Sequence, residues 1–315
     1  MTFYLGIDVG CKSLDVAIFT PGTAAATHIG AYANTSKGVK RLLRDVAKTP
    51  ITHALLEATG GYENAALDQI SAHMPITRIA SHRSAAYARS MGQYAKSDPA
   101  DARTLAQMAA GTVPRPHAAP TPARKALRGL VKVRDQLVRQ RDDNRRRIAQ
   151  ADTPEAARVL KRINAYVDKE IKALDGQLRE AAIACDEGKA RQLAEVPGIG
   201  PVTVAMLIGC LPELGQCGNR QISALVGVAP YIKQSGKRDA PRQIMAGRPY
   251  VRRIMYMAAL ASMRAENSPL RAYYQGLRAR GKLAKVAIVA CMRKLLIALN
   301  AMVRNGTPWQ ERAMA

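Results

Sequence analysis

Four carboxylates in this chain are placed where phosphodiester chemistry could use them. Asp8 sits inside the apolar run Phe3-Tyr4-Leu5-Gly6-Ile7-Asp8-Val9-Gly10, and Glu57 ends the run His53-Ala54-Leu55-Leu56-Glu57. Asp98 and Asp101 follow in Lys96-Ser97-Asp98-Pro99-Ala100-Asp101-Ala102, a spacing of three that puts both on one face of a starting helix. A carboxylate embedded in an apolar strand is costly unless it is paired or binds a cation. Four converging acids repel one another, and a divalent cation relieves that repulsion. Mg²⁺ takes hard oxygen ligands and keeps waters and substrate phosphates in its shell. Two such ions ~4 Å apart can clamp both oxygens of an in-line phosphoryl displacement. The bland alternative is that Asp98 and Asp101 only cap and charge a helix start. Asp8 alone would also suit an actin-like sugar kinase, but no second Asp-x-Gly phosphate motif follows it.

A second candidate lies in Lys233-Gln234-Ser235-Gly236-Lys237-Arg238. Ser235 among these cations could attack a phosphodiester while the basic residues stabilise charge developing on the phosphate. Tyr231 is an alternative nucleophile on the same segment. Taken alone, Ser-Gly is an ordinary turn pair.

The elements that must position these groups follow from periodicity. Residues 3–9 read as a buried strand, 14–19 as its hairpin partner, and 27–33 as a third strand. A helix over 37–47, a strand over 52–58, a helix over 64–73 and a strand over 76–80 come next. Three early strands followed by alternating helix and strand is the order of a ribonuclease-H-like (RuvC-like) α/β fold, a mixed sheet with helices. It sets the ends of the first and fourth strands side by side and brings Asp8 to Glu57. A helix from about Pro99 to Ala110, with Pro in its first turn, adds the other two acids.

After a proline-rich linker at 114–122, two long charged helices are expected, 123–150 and 154–185. The second carries a heptad with Leu160, Val167, Leu174 and Ala181 at one seam position and Ile171, Leu178 and Cys185 at the other, with Asn164 among them. That describes an α-helical coiled-coil hairpin or an oligomerising coil. The third part is mainly α. Val196-Pro197-Gly198-Ile199-Gly200-Pro201 before an apolar helix has the form of a helix–hairpin–helix, whose Gly198 and Gly200 would let the backbone approach a DNA phosphate. Residues 233–238 read as a polar loop, and two helices over 250–266 and 283–304 end the chain. The expected division is 1–113, 114–190 and 191–315.

The balance of charge points to a polyanion. Lys+Arg number 48 and Asp+Glu 24, a net +24. Residues 1–121 hold 12 cations and 8 acids, so the remaining +20 falls on the other part. Candidate nucleic-acid contacts there are Arg139, Arg145 and Arg146 in the first long helix, then Lys237, Arg238, Arg242 and Arg248. The alternative is a solvated helix face, offset by Asp142 and Asp143. Aromatic content of 4% argues against recognition by stacked bases. Five scattered cysteines without a Cys-x-x-Cys pair, and five His all in the first half, disfavour zinc and suit a reducing cytoplasm. Asp8 interrupts the first apolar run, so no secretory leader is expected there. Lys285, Arg293 and Lys294 make the apolar stretch 283–303 a packed helix and not a membrane span.

Taken in order, Gly6-Ile7-Asp8-Val9, Glu57-Ala58-Thr59-Gly60-Gly61-Tyr62-Glu63, Lys96–Ala102, the Val196–Pro201 hairpin and Gly227-Val228-Ala229-Pro230 leading to Ser235-Gly236 carry a resemblance over essentially the whole chain. It resembles the bacterial insertion-sequence transposases with a RuvC-like DEDD domain and a C-terminal serine domain, the bridge-RNA-guided recombinases. Ser97 and Pro99 stand where that family has Thr and often Arg, and neither would be a ligand. The resemblance implies that Asp8, Glu57, Asp98 and Asp101 bind Mg²⁺. It also implies that Ser235 forms a transient phosphoserine link to DNA, and that a structured noncoding guide (bridge) RNA pairs with donor and target DNA. It further implies a homo-oligomer, dimer to tetramer, whose composite sites join one subunit's carboxylates to another's serine. RNA guidance would leave sequence reading to base pairing and ask the protein for positive charge and shape. The residues alone leave two alternatives open. One is a RuvC-type metal-dependent Holliday junction resolvase with water as nucleophile. The other is a non-enzymatic nucleic-acid scaffold.

Overall fold

A computed structural model describes residues 1–94, 97–112, 116–235, 238–264 and 267–309, without side chains over 233–241. The chain divides into two compact units, 1–120 and 121–315.

Unit 1 is a five-stranded sheet flanked by helices. Its elements are β1 (Phe3–Val9), β2 (Ser13–Phe19), β3 (Thr27–Ala33), α1 (Ser36–Asp45), β4 (Ile51–Glu57), α2 (Asn64–Ile70), β5 (Ile76–Ile79), α3 (Ser81–Ser90) and α4 (Asp98–Gly111). The strand order is β3-β2-β1-β4-β5. β1, β2 and β3 pair antiparallel, whereas β1, β4 and β5 run parallel. This agrees with the ribonuclease-H-like order read from the sequence.

Alternation along the strands sorts the side chains onto two faces. Leu5, Ile7, Val9, Leu14 and Val16 join Val39 and Leu42 of α1 and Leu67 and Ile70 of α2 in one buried core. On the opposite face Leu55 and Ile79 pack with Leu105, Met108 and Ala109 of α4, and Ala17 packs with its Ala102 and Ala106. Gly6 is what allows this seating. A Cβ there would stand 2.1 Å from the Ala102 carbonyl oxygen and 2.2 Å from the Ala106 nitrogen. A helix therefore lies directly on a strand backbone, and no larger residue leaves room for it.

Unit 2 is mostly helical. Thr121 and Thr153 each accept a hydrogen bond from a first-turn backbone N–H, and a proline opens each of the two long helices they cap, α5 (Pro122–Ala149) and α6 (Pro154–Cys185). Val167, Ile171 and Leu178 of the expected seam are buried, and Asn164 lies buried among them. Leu127 and Val131 of α5 and Leu178 and Ala182 of α6 belong to the large core of this unit, so the hairpin is rooted in it. The rest comprises α7 (Glu187–Ala194), α8 (Pro201–Cys210), α9 (Asn219–Val226), the ribbon β6 (Pro230–Ser235) and β7 (Arg238–Ile244), α10 (Pro249–Ser262), α11 (Pro269–Ala279) and α12 (Ala284–Asn305).

One expectation changes here. The polar loop expected over 233–238 contributes instead to an antiparallel ribbon, with Ser235 opposite Arg238. α9 ends on Gly227 at φ 78°. α12 is long and apolar enough to cross a membrane by length and composition alone. Its Cys291, Leu295, Leu296 and Leu299 are fully buried in the core of unit 2, as expected of a packed helix.

Candidate active site

Parallel pairing sets Ile7 against Leu56, so the next residues of the two chains, Asp8 and Glu57, leave adjacent strands at the same sheet edge. Both lie on the α4 face, in phase with Gly6 and Leu55. α4 delivers Asp98 and Asp101 in its first turn, with Ser97 as N-cap and Pro99 behind it. The two acids stand at the positive end of that helix, where negative charge is favoured. The consequence is seen at Asp8. Burial, then the charges of Glu57, Asp101 and Asp98, push its carboxyl up to about 6, against a small opposing effect of the Val9 backbone N–H. All four predicted acids thus bear on one point.

Among the described residues, no three His, Cys, Asp or Glu side chains stand close enough to hold a metal ion. Glu57 has another partner: Ser84 of α3 donates to its Oε2 at 2.6 Å. The donor set is nonetheless all carboxylate oxygen, the chemistry that a hard divalent cation selects. An Asp8 held half-protonated near pH 6 is a group a cation would return to its charged form.

Several supporting residues carried no signal of their own in the sequence. Glu63 is buried, and its Oε2 accepts from the backbone N–H of Gly61 at 2.7 Å and of Thr59 at 3.2 Å. Its Oε1 accepts from Arg78 Nη1 at 3.2 Å. Burial pushes its carboxyl up, but these bonds and the Arg78 charge outweigh burial and leave it below the usual range. Glu63 therefore ties down the loop that follows Glu57. Asn34 Nδ2 donates to the Gly10 carbonyl at 3.0 Å and to the Tyr62 carbonyl at 3.1 Å, joining that loop to the turn after Asp8. Asp15, opposite Asp8 on β2, is buried and bonded to His28 Nε2 at 3.2 Å.

The residues expected to touch nucleic acid fare unevenly. Arg248 is a correction: its Nη1 donates to the Cys210 carbonyl and to Glu213 Oε2, both at 2.8 Å, and its Nη2 to Glu213 Oε1 at 2.6 Å. Burial alone would lower its pKa, but the Glu213 bonds raise it, so this cation is committed inside unit 2. Gly198, at φ 88°, packs against α10, where a Cβ would stand 2.3 Å from Ser262 Oγ. Its need for glycine is internal. Gly200 is exposed with open space around it, between α7 and α8. Arg139 pairs with Asp135 at 2.5 Å, Arg145 with Asp168 at 3.7 Å, and Arg146 with Asp143. These pairs are solvent-exposed. Arg242 is exposed on β7. Lys237 and Gly236 lie outside the described residues, as do the side chains of Ser235 and Arg238. Ser235 closes β6, and it belongs to unit 2 whereas the four acids belong to unit 1.

A mixed sheet whose edge carries converging acids, followed by a basic helical unit, is the arrangement of a DNA strand-transfer enzyme with a RuvC-like domain. Residues 5–151 match the DEDD_Tnp_IS110 transposase family, and residues 190–275 match the Transposase IS116/IS110/IS902 family. The chain belongs to the IS110-family transposases. It is similar to the pilin gene-inverting protein of Moraxella lacunata, with 26% identity over 98% of both chains, and to that of Moraxella bovis, with 25% over the same shares. It is also similar to the insertion element IS110 uncharacterized 43.6 kDa protein of Streptomyces coelicolor (strain ATCC BAA-471 / A3(2) / M145), with 32% identity over 39% of this chain and 31% of that protein.

Proposed function

We propose that this transposase cuts and rejoins DNA strands through a phosphoserine intermediate on Ser235, with Asp8, Glu57, Asp98 and Asp101 holding Mg²⁺. The observation that supports it best is the shared electrostatic burden on Asp8, whose carboxyl is pushed up to about 6 by burial and by the other three acids. Bound there, the metal would neutralise the scissile phosphate and polarise its oxygens. The carboxylates hold the cation and fix its position; Glu63 and Asn34 keep the loop after Glu57 from drifting. Ser235 Oγ attacks the phosphorus, its proton leaves to solvent or a base, and the departing strand's oxygen takes a proton. Attack by that strand, or by another, on the serine ester releases Ser235 and rejoins DNA.

Several further parts rest on the resemblance. They are a structured guide RNA pairing with donor and target DNA, work in the cytoplasm, and a homo-oligomer, up to a tetramer, that brings Ser235 to the carboxylates of another subunit. The location of serine and acids in separate units is compatible with either cis or trans assembly. The inversion activity named for the Moraxella relatives fits the same chemistry, since inversion needs cut ends that are kept and rejoined.

A RuvC-type resolvase reading stays in play because the acidic cluster is complete within unit 1. There water attacks and no protein–DNA bond forms. Denaturing gel analysis of labelled DNA separates the two. Wild type should give a protein-linked strand, and Ser235→Ala should give neither that adduct nor rejoined product while still binding nucleic acid. Full recombination by Ser235→Ala would sink the serine assignment. Unchanged cleavage in EDTA would sink the metal assignment.

A further inference from the structure

The arginines of the α5–α6 hairpin draw the eye in the sequence, but the uncompensated positive charge lies elsewhere. Residues 267–309 contain eight Lys and Arg and no Asp or Glu. Within this stretch, α11 and α12 meet at a short turn, and every residue from Arg278 to Val286 is exposed. That run of nine carries Arg278, Arg280, Lys282 and Lys285. Among the described residues none of the four has a carboxylate partner. Arg278 Nη1 donates to the Lys282 carbonyl at 2.5 Å, and Arg280 Nε to the Gly276 carbonyl at 3.1 Å, which orders the guanidinium groups without cancelling their charge. Hairpin residues 122–185 differ: 16 cations face 9 acids, and Arg134, Arg139, Arg141, Arg145, Arg146 and Arg158 are each paired with one.

Two apolar side chains stand in this cationic run. Leu283 is 73% exposed and Val286 51% exposed. Among the described residues nothing in unit 2 covers them, although α12 buries its other face in the core. Cations spaced along a tight turn with an apolar tip suit a duplex: the cations meet phosphates, and the leucine lies against sugars or wedges at a base step in the minor groove. The family matches end at residue 275, before the turn begins.

We infer that the α11–α12 turn, Arg278 to Val286, is a docking surface for the backbone of duplex DNA, separate from the carboxylate site. It rests on the proposed function only in that DNA is the substrate. The test is a salt titration of fluorescence anisotropy with a labelled DNA duplex, using the full chain in EDTA so that nothing is cut. Replacing Arg278, Arg280, Lys282 and Lys285 together by Gln should flatten the slope of log Kd against log salt by about 3, with Kd raised roughly tenfold or more at moderate salt. L283A should weaken binding several-fold without changing the slope. K282Q/K285Q, a milder variant, should flatten the slope by nearly 2. Circular dichroism checks that each variant is folded.

An unchanged slope in the folded variants overturns the inference. So does a slope change seen only with duplex RNA of the same length, or a loss of binding to anionic phosphatidylglycerol vesicles with DNA binding intact. Asp8→Ala should keep the full slope. A wild-type protein that keeps the slope yet never cuts DNA refutes the proposed function and leaves this surface standing.

Discussion

Two charge clusters, one in each unit, solve the same problem in opposite ways. In unit 2, Glu213 and Arg248 neutralise each other through two charge-assisted hydrogen bonds, with the Cys210 carbonyl taking a third. Burial pushes the Glu213 carboxyl up, but the Arg248 bonds and charge hold it below the usual range. In unit 1, Asp8, Glu57, Asp98 and Asp101 bring four charges of one sign to one edge with no cation of the protein among the influences on Asp8. A paired cluster is part of the scaffold. A cluster of one sign is a standing cost, and on the proposed function it is where an external cation and substrate would be received.

The largest expected effect comes from removing one member of the like-charged cluster. Asp8→Asn should abolish strand cleavage, at least a thousandfold on a gel assay, while melting of the metal-free protein rises. Relief of a carboxyl raised to about 6 corresponds to roughly 1–2 kcal/mol near pH 7.5 after allowance for solvent screening. A lower melting temperature for that variant would contradict the account of Asp8.

Next is the paired cluster. Glu213→Ala strands Arg248 and should cost about 2–3 kcal/mol in denaturant unfolding of unit 2. The pH signs of the two clusters are opposite. Glu213 has a depressed folded pKa, so its contribution is present above the unfolded value of about 4.3 and is lost as pH falls through the lower folded value. Asp8 is raised, so metal-free protein regains stability from this group as pH falls from above 6 toward 4. Paired melts of wild type against Glu213→Gln and against Asp8→Asn across pH 3.5–8 read both.

Gly6→Ala should act through seating alone. A Cβ 2.1 Å from the Ala102 carbonyl forces α4 off β1 and moves Asp98 and Asp101, so cleavage should fall more than tenfold for about 1–3 kcal/mol of stability. If the variant cuts normally, α4 is not held as described. The smallest effect is expected from Arg145→Gln with Arg146→Gln. Both side chains already face hairpin acids, so the salt slope of DNA binding should change by less than about 1.

Much of unit 1 was legible because its signals are local. Short runs rich in apolar residues gave β1 to β5 within a residue or so, and strand order then required Asp8 to meet Glu57. α3 was missed because its sequence, Ser81–Ser90, is polar and only Ser84 is buried. α11 was missed for the same reason, with Leu270 its only buried residue. The β6–β7 ribbon escaped because it has no apolar alternation to read: Ile232 and Ile244 are exposed, and the other positions are mostly polar, charged or Pro. Arg248 was misread because an arginine's sign is visible in the sequence and its partner, 35 residues earlier, is not.

The seating of α4 on Gly6 has a consequence for the timing of synthesis. Gly6 and Ala106 are a hundred residues apart, and Asp98 and Asp101 are placed only when they meet. Contacts of such separation form late and slowly, and domains emerging from the ribosome fold from the N-terminal end. The strands bearing Asp8 and Glu57 can pair while the rest is still being made, but half a quartet holds no cation well. On the proposed function, a centre that closes only after the whole first domain has left the ribosome would leave truncated products unable to cut DNA.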